Sequence, residues 1–542
     1  MKDKEIVKDT KSINEYVSDN IESALDIAED QQGNVEADLH LPYYLPVAAY
    51  YQSHEFTPVW SDTAVFSKHT TRFILYLDTS ISDGLFREAY HYQEIKELYA
   101  SLCTDSLKQK DAVLWAKADL LLSDAFMHVA ADLHQGRMAP DSLLYKNDTA
   151  AYRRFFGPTL LRFLQGEKDT VFFESLQPLW HGYRELKLHV DSFYRQMDTT
   201  SFTYIHFPFL SGNDEDSMAF ISSLKKRLAE EKGLELKWED ETDTATLAKI
   251  ILSYQKKAGL TTDGKLGPAV IRSLNLTDKV KFKRLLITLD RYKLLPDTVP
   301  VSYVWVNLPG FYLQTWSSDS LCITSRIICG KPITPTPILN SSIYEMVTYP
   351  TWTVPSSIIK KEMLPGLKKS PDYLKRKGLE LFDHKGSKID PVKVDWSKYK
   401  KGIPYQIRQD SGDDNALGVM KFNFRNPFDV YLHDTNQRYF FSRNMRALSH
   451  GCVRVQEWLP LAEWLIRNDS TLLAPKDSLA YTPDSVASWI AQKKKLRVPV
   501  KKRVPIFINY MSCESVNGQL IFYTDIYDED SKMLEKYFAT TP

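Results

Sequence analysis

Apolar residues recur every three or four positions through FILYL, AVLWAKADLLLSDAFMHVAADL and LQPLWHGYRELKLHV, a period that predicts an all-helical segment from Leu41 to about residue 200. Upstream, residues 1–39 hold eleven acidic residues and four lysines, the texture of a solvated leader rather than of core. Residues 216–275 read as three short helices joined by Gly-containing turns, with Asp263-Gly264 the strongest turn signal. A connector helix, LLITLDRYKLLPD, follows. From Val301 the period drops to two, in YVWVNLPGFYLQTW, ITSRIICG and FDVYLHD, so a β-rich domain is expected to begin there. WLPLAEWLIRN returns to helical spacing, and VPIFINYMSCESVNGQLIFYTDIY predicts two strands around the hairpin turn Asn517-Gly518.

At 542 residues the chain is long enough for three or four domains of roughly 150 residues each. Lys+Arg 69 against Asp+Glu 69 leaves no net charge, hence no overall field to draw in nucleic acid or an anionic membrane. Five scattered cysteines without a C-x-x-C pair argue against a disulfide framework and against structural zinc. No apolar run approaches the roughly 18 residues of a membrane span, and MKDKEIVKDT lacks a hydrophobic signal core.

The chemistry concentrates in FDVYLHDTNQRYFFSRNMRALSHGCVRVQEWLPLAEWL. His433 ends an alternating strand, and a loop leads to Ser449-His450-Gly451-Cys452-Val453-Arg454 ahead of a helix. A cysteine beside glycine and before a helix is expected to see amide N–H groups and a dipole that favour thiolate. His433, nineteen residues upstream, can fold back as its base, with N–H groups around Gly451 and Cys452 as an oxyanion hole. Taken singly, Cys452 reads more readily as a small buried apolar residue, and both histidines as satisfied core or surface groups. A zinc site of His433, His450 and Cys452 has the wrong spacing, and neither metal nor cofactor is expected.

H-D-T followed by S-H-G-C-V-R resembles the signature of the L,D-transpeptidase (YkuD-type) catalytic domain, the cysteine enzymes that cross-link peptidoglycan. VNLPGFYLQTW, ICGKPITPTPIL and TYPTWTVPSSIIKKEMLP resemble that family's first strands, DGKLGPAVIRSLN is similar to a peptidoglycan-binding three-helix domain, and residues 41–205 resemble the scaffold domain of its large Gram-negative-type members. The resemblance implies an α+β multidomain chain. Its parts would be a flexible leader (1–40), a helical scaffold (41–210), a three-helix peptidoglycan-binding unit (211–277), a connector helix (278–299), a β-rich catalytic domain (300–475) with a capping insertion at about 356–420, and a C-terminal segment with a hairpin (476–542). It implies Cys452 as nucleophile, His433 as general base and acid, and the Asp434 carbonyl as the group orienting the imidazole. Asp434 stands where a Gly or Ser is usual, leaving its side chain without an implied role. Gly451, His450 and Ser449 would form or support the oxyanion hole. Arg454, Tyr431 and Trp352 would contact substrate, although Trp352, with Trp115 and Trp180, also reads as packing.

The implied reaction is acyl transfer: Cys452 takes the acyl group of the third stem residue, expels D-alanine, and passes it to a neighbouring stem's amine as a 3→3 cross-link. Water as acceptor would make a carboxypeptidase, and an envelope protein is a further acceptor class. The implied partners are stem peptides, glycan strands and β-lactams of the carbapenem type, with no nucleic acid and no membrane span. The implied location is periplasmic, so a signal or anchor is expected to be missing from this chain. The 65 residues between Pro355 and Met420 are too many for a structureless loop and are expected to form a lid presenting Trp396 and Tyr405. In the three-helix unit the stripe Phe220, Leu224, Leu228 is expected to be core, and the basic run Lys493 to Arg503 a solvated face.

Overall fold

The computed structural model describes residues 4–37, 39–138, 145, 150–206, 214–231, 244–258, 260, 262–370, 372–400, 402–472 and 481–538. The chain divides into a unit of residues 1–297, 513–522 and 532–542, and a unit of residues 298–512 and 523–531. It is an α+β protein, helical in the first unit and β-rich in the second. Among the described residues no helix is long and apolar enough to cross a membrane.

The first unit is built on α5, Ala112–His134, which is buried along nearly its whole length. The expected solvated leader is not one. Its residues Ile13–Asp30 form α1, whose Ile13, Val17, Ile21, Ala24, Leu25 and Ala28 are buried in the same core as α5. The acidic residues that set the composition, Glu15, Asp19, Glu22, Asp26, Glu29 and Asp30, all fall on the exposed face. An average over the segment hid a stripe of period 3.6, in which each fully buried aliphatic side chain is worth about 1.5–3 kcal/mol. Ahead of α1 the chain is pinned by Val7 N–H to the Lys110 carbonyl, 2.9 Å, and Ala112 N–H to the Glu5 carbonyl, 2.9 Å. Trp115 and Trp180 are buried, as packing requires.

Helices Asp214–Ala229, Thr244–Lys257 and Pro268–Asn275 form the small three-helix cluster. Leu224 and Leu228 are fully buried with Ile251, Tyr254 and Leu274, and Phe220 packs at the edge. The Asp263-Gly264 turn takes φ +68° at Gly264, and both N–H groups donate to Gln255 Oε1, at 3.1 and 2.9 Å.

The second unit carries β1 Ser302–Asn307, β2 Tyr312–Ser317, β3 Ser320–Gly330 and β4 Leu339–Thr348. It continues with β5 Trp352–Thr353, β6 Glu380–Phe382, β7 Lys388–Ile389, β8 Gln406–Gln409 and β9 Met420–Phe424. β10 Leu432–His433, β11 Ala447–Ser449, β12 Val453–Val455 and β13 Arg497–Asn509 complete it. The main sheet runs β11-β3-β12-β10-β9-β4-β13-β1-β2, and the additional pairing of β2 with β3 closes it into a ring. β13 is the departure from the sequence reading. It was expected in a separate C-terminal segment, yet it pairs parallel with β1, Ile506 opposite Val304, and antiparallel with β4. A parallel partner some two hundred residues away leaves no local signature. The expected hairpin does form, β14 Cys513–Val516 against β15 Gln519–Phe522, with left-handed Asn517 and Gly518 at φ 51° and 74°. The basic side chains 493–495, 497 and 501–503 are solvent-exposed.

The 65-residue insertion is a subdomain with a core of its own, including Ile359, Leu364, Leu367, Leu374, Leu381, Trp396 and Ile407, under a four-stranded sheet β7-β6-β8-β5. Trp396, expected at the substrate face, is instead buried in that core, its indole N–H donating to the Pro391 carbonyl at 2.9 Å. An indole fills an interior of this size better than any neighbouring side chain, and its one polar atom is satisfied there.

Candidate active site

The site is laid out by strand register. β10 and β12 run parallel with Leu432 opposite Val453 and His433 opposite Arg454, so one step earlier Tyr431 stands beside Cys452; the Val453 N–H donates to the Tyr431 carbonyl at 3.2 Å. Side chains alternate along a strand. Leu432 and Val453 therefore enter the core, where both are fully buried, and Tyr431, His433, Cys452 and Arg454 share the opposite face. His433 and Cys452 are diagonal neighbours, roughly 7–8 Å apart at Cα, a span side chains can close. β9 pairs antiparallel with β10, Lys421 opposite His433 and Phe422 opposite Leu432, and adds Lys421 to the same face.

His433 is buried, and its Nδ1 lies 2.5 Å from the Asp434 carbonyl oxygen. A carbonyl only accepts, so Nδ1 carries the proton and Nε2 keeps a lone pair. Burial and then the Arg454 charge press the imidazole pKa down to about 3, only partly offset by the Asp434 and Leu417 carbonyls. At neutral pH this is a neutral base with a fixed tautomer. The Asp434 carboxylate, whose role the sequence left open, is a strut: it accepts from the Val419 N–H at 3.0 Å and pairs with Arg438 Nη2 at 2.9 Å. Gly418 makes room for it, since a Cβ there would lie 2.2 Å from Asp434 Oδ2.

Cys452 is half-buried, and all five cysteines are free thiols. The expectation of a helix dipole behind it fails, because β12 follows the cysteine and the next helix starts only at Trp458. Burial pushes the thiol above its ordinary value, against the pull of the Tyr431 N–H and hydroxyl and of the Lys421 and Arg454 charges. The resting pair is thus thiol and neutral imidazole, not the thiolate that the loop sequence suggested. Burial and then the Cys452 thiol push the Tyr431 hydroxyl well above its ordinary value, against a hydrogen bond with Trp352 that lowers it, so of the aromatic residues expected to touch substrate Tyr431 stands beside the sulfur and Trp352 beside Tyr431.

The turn before Cys452 is held from several sides. Gly451 adopts φ +121°, a conformation that essentially only glycine tolerates. The buried Ser449 hydroxyl donates to the Cys452 carbonyl at 2.6 Å and accepts the Gly451 N–H at 3.1 Å. That takes the Gly451 amide out of the expected oxyanion donors and makes Ser449 a brace. Thr336 Oγ1 donates to the Gly451 carbonyl at 2.8 Å, and the Tyr527 hydroxyl, 2.7 Å from the Gly330 carbonyl, braces the Thr336 turn. His450 points to the capping subdomain, with Nε2 2.5 Å from Glu362 Oε1. Arg454 donates to Gln437 Oε1 at 3.2 Å, while its buried Nε has no partner among the described residues. Sequence reasoning missed Lys421, Glu362, Thr336 and Tyr527. Lys421 alone had a signal, lying in an alternating run MKFNF that could pair with FDVYLHD. Among the described residues no three His, Cys, Asp or Glu side chains converge to hold a metal ion.

The family model described as the L,D-transpeptidase catalytic domain matches residues 301–476, and a scaffold-domain model matches residues 46–189. A Haemophilus influenzae protein named "Putative L,D-transpeptidase" is 32% identical over 251 residues, 46% of this chain and 49% of its own length. The match thus spans about half of that relative. An L,D-transpeptidase from Mycobacterium smegmatis aligns over 39% of this chain and 58% of its own at 12% identity and TM-score 0.18. One from Stackebrandtia nassauensis covers 57% and 97% at 12% identity and TM-score 0.16. The chain thus carries a YkuD-type L,D-transpeptidase catalytic domain that contains Cys452 and His433, with a scaffold domain ahead of it.

Proposed function

We propose that this protein forms 3→3 cross-links between peptidoglycan stem peptides, outside the cytoplasm where that polymer lies, through an acyl-enzyme on Cys452. The observation that carries the reading is the shared sheet face of Tyr431, His433, Cys452 and Arg454, with the His433 tautomer fixed by the Asp434 carbonyl. His433 Nε2 takes the Cys452 proton as the sulfur attacks the carbonyl carbon of the third stem residue. The Tyr431 hydroxyl and the Cys452 N–H face the developing oxyanion. As the C–N bond breaks, the imidazolium returns the proton to the departing D-alanine amine, leaving a thioester. The side-chain amine of a second stem then attacks, His433 removes its proton, and the C–S bond breaks to regenerate the thiol. Arg454 serves a donor carboxylate, and a carbapenem would acylate the same sulfur. The three-helix cluster, similar in sequence to peptidoglycan-binding domains, would hold glycan strands.

The test is mass spectrometry of products from a purified tetrapeptide muropeptide. A dimer lighter than two donors by one alanine residue plus water supports the reading, and its absence on Cys452→Ala ties it to the thiol. A tripeptide as the sole product would make water the acceptor and the protein a carboxypeptidase. Unchanged donor would refute both.

A further inference from the structure

One charged group on the catalytic face has no task in the steps above. Lys421 stands opposite His433 in the register, half-buried, its ammonium 3.8 Å from the centre of the Tyr431 ring. Among the described residues no carboxylate forms an ion pair with it. The acid on the neighbouring strand, Glu345, is engaged by Arg497 Nε at 2.9 Å and by Asn423 Nδ2 at 2.7 Å. Burial lowers the Lys421 pKa, with the Cys452 sulfur the largest influence holding it up. On the other side of His433, Arg454 is also partly buried and keeps its Nε unbonded. β9 and β12 flank β10, which puts the two cations about 10 Å apart at the backbone, with His433 between them and Cys452 two residues before Arg454, beside Tyr431. A partly buried cation lacking an anion carries a desolvation cost that a bound anion would remove.

We propose that Lys421 is a specificity-determining residue that binds a carboxylate of the donor peptide, on the side of His433 opposite Arg454 and Cys452; this rests on the transpeptidase reading of the site. The donor has two carboxylates close to the scissile carbonyl: that of the departing terminal alanine, and that of the third-residue diaminoacid side chain. Either supplies the same chemistry, an oxyanion accepting from a compact ammonium. Amidation of the carboxylate that Lys421 holds would leave the ammonium buried and unpaired, so the site selects acidic donors over amidated ones.

The experiment uses the full chain as Cys452→Ala, which binds donor without consuming it, and calorimetric titration with three tetrapeptides: both carboxylates free, the terminal amide, and the side-chain amide. One amide should bind about 10- to 100-fold more weakly than the free peptide, the range for a charge-assisted contact. That gap should shrink to within about threefold when Lys421→Met is added, and Lys421→Arg should retain much of it; the amide affected identifies the carboxylate. Lys421→Gln gives the same readout should the methionine variant misfold. A Lys421 that only tunes the Cys452 thiol would leave every affinity ratio unchanged. Equal binding of the three peptides, an amide gap indifferent to Lys421→Met, or no measurable binding would each overturn the proposal. Turnover of the free peptide by wild type is read separately: a Lys421-dependent gap without thioester formation keeps this inference and sinks the transpeptidase reading.

Discussion

The charge state of the resting site governs how Cys452 reacts with pH. With the His433 pKa pressed down to about 3, roughly one imidazole in 10⁴ is protonated at pH 7. The thiol lies above its ordinary value, so less than about 1% is thiolate at that pH. Alkylation of Cys452 by iodoacetamide should therefore climb about tenfold per pH unit from 6 to 9, with no plateau in that range. A thiolate–imidazolium pair would behave differently, being fully formed and flat between its two pKa values. The perturbation is His433→Ala: carbapenem acylation at pH 7 should slow by about 10²–10⁴-fold, and the deficit should narrow toward pH 10 as hydroxide replaces the imidazole. Intact-mass spectrometry reads both reactions, with Cys452→Ala as the blank for the exposed thiols Cys103 and Cys322. A wild-type plateau between pH 5 and 8 would refute the neutral pair. A His433→Ala profile superimposable on wild type would refute the base.

The same depression bears on stability: folded His433 titrates near 3 and an unfolded histidine near 6.5, so the contribution is complete above about pH 6.5 and is lost as pH falls toward 3. His433→Gln should flatten the acid limb of urea melts by about 4 kcal/mol between pH 7 and 3.5. Gly418→Ala combines a left-handed φ of +62° with a Cβ 2.2 Å from Asp434 Oδ2; it should cost about 2–4 kcal/mol and lower acylation by disturbing the His433 support, measured by thermal melting beside carbapenem labelling. Glu362→Gln removes the charge facing His450 in a pair with 51% and 33% side-chain exposure. The loss should be under about 1 kcal/mol, yet amide exchange over 359–369 should quicken; unchanged exchange would mean the pair does not tether the cap. Replacing 360–408 by a Gly-Ser linker should leave carbapenem acylation within about tenfold while abolishing muropeptide cross-linking, which depends on positioning; retained cross-linking at matched folding would refute a substrate-holding cap.

The local signals did a defined share of the work. The 3.6-residue stripes of α5 and of the three-helix cluster, the period-two texture from Val301, the Asn517-Gly518 hairpin, and the self-sufficiency of the 65-residue insertion were all legible, because each depends on neighbours along the chain. So was the pairing of His433 with Cys452, since S-H-G-C-V-R preceded by H-D-T is specific enough to carry a family resemblance. Misreadings came where an average or a neighbour stood in for geometry: the acidic composition of residues 1–40 concealed the buried stripe of α1, and the helix after Cys452 lent it a dipole that β12 keeps at a distance. Only the tertiary structure could place β13 between β4 and β1, since a parallel partner two hundred residues away is invisible to periodicity. It alone turned Trp396 inward, tied the Gly451 amide to Ser449, and brought Lys421 to the catalytic face. The protonation of the site belongs to the same class. Nothing in S-H-G-C says that the imidazole is neutral and the thiol protonated, because both follow from how much water the folded sheet removes and which cations it leaves nearby, quantities that exist only once the strands are in register.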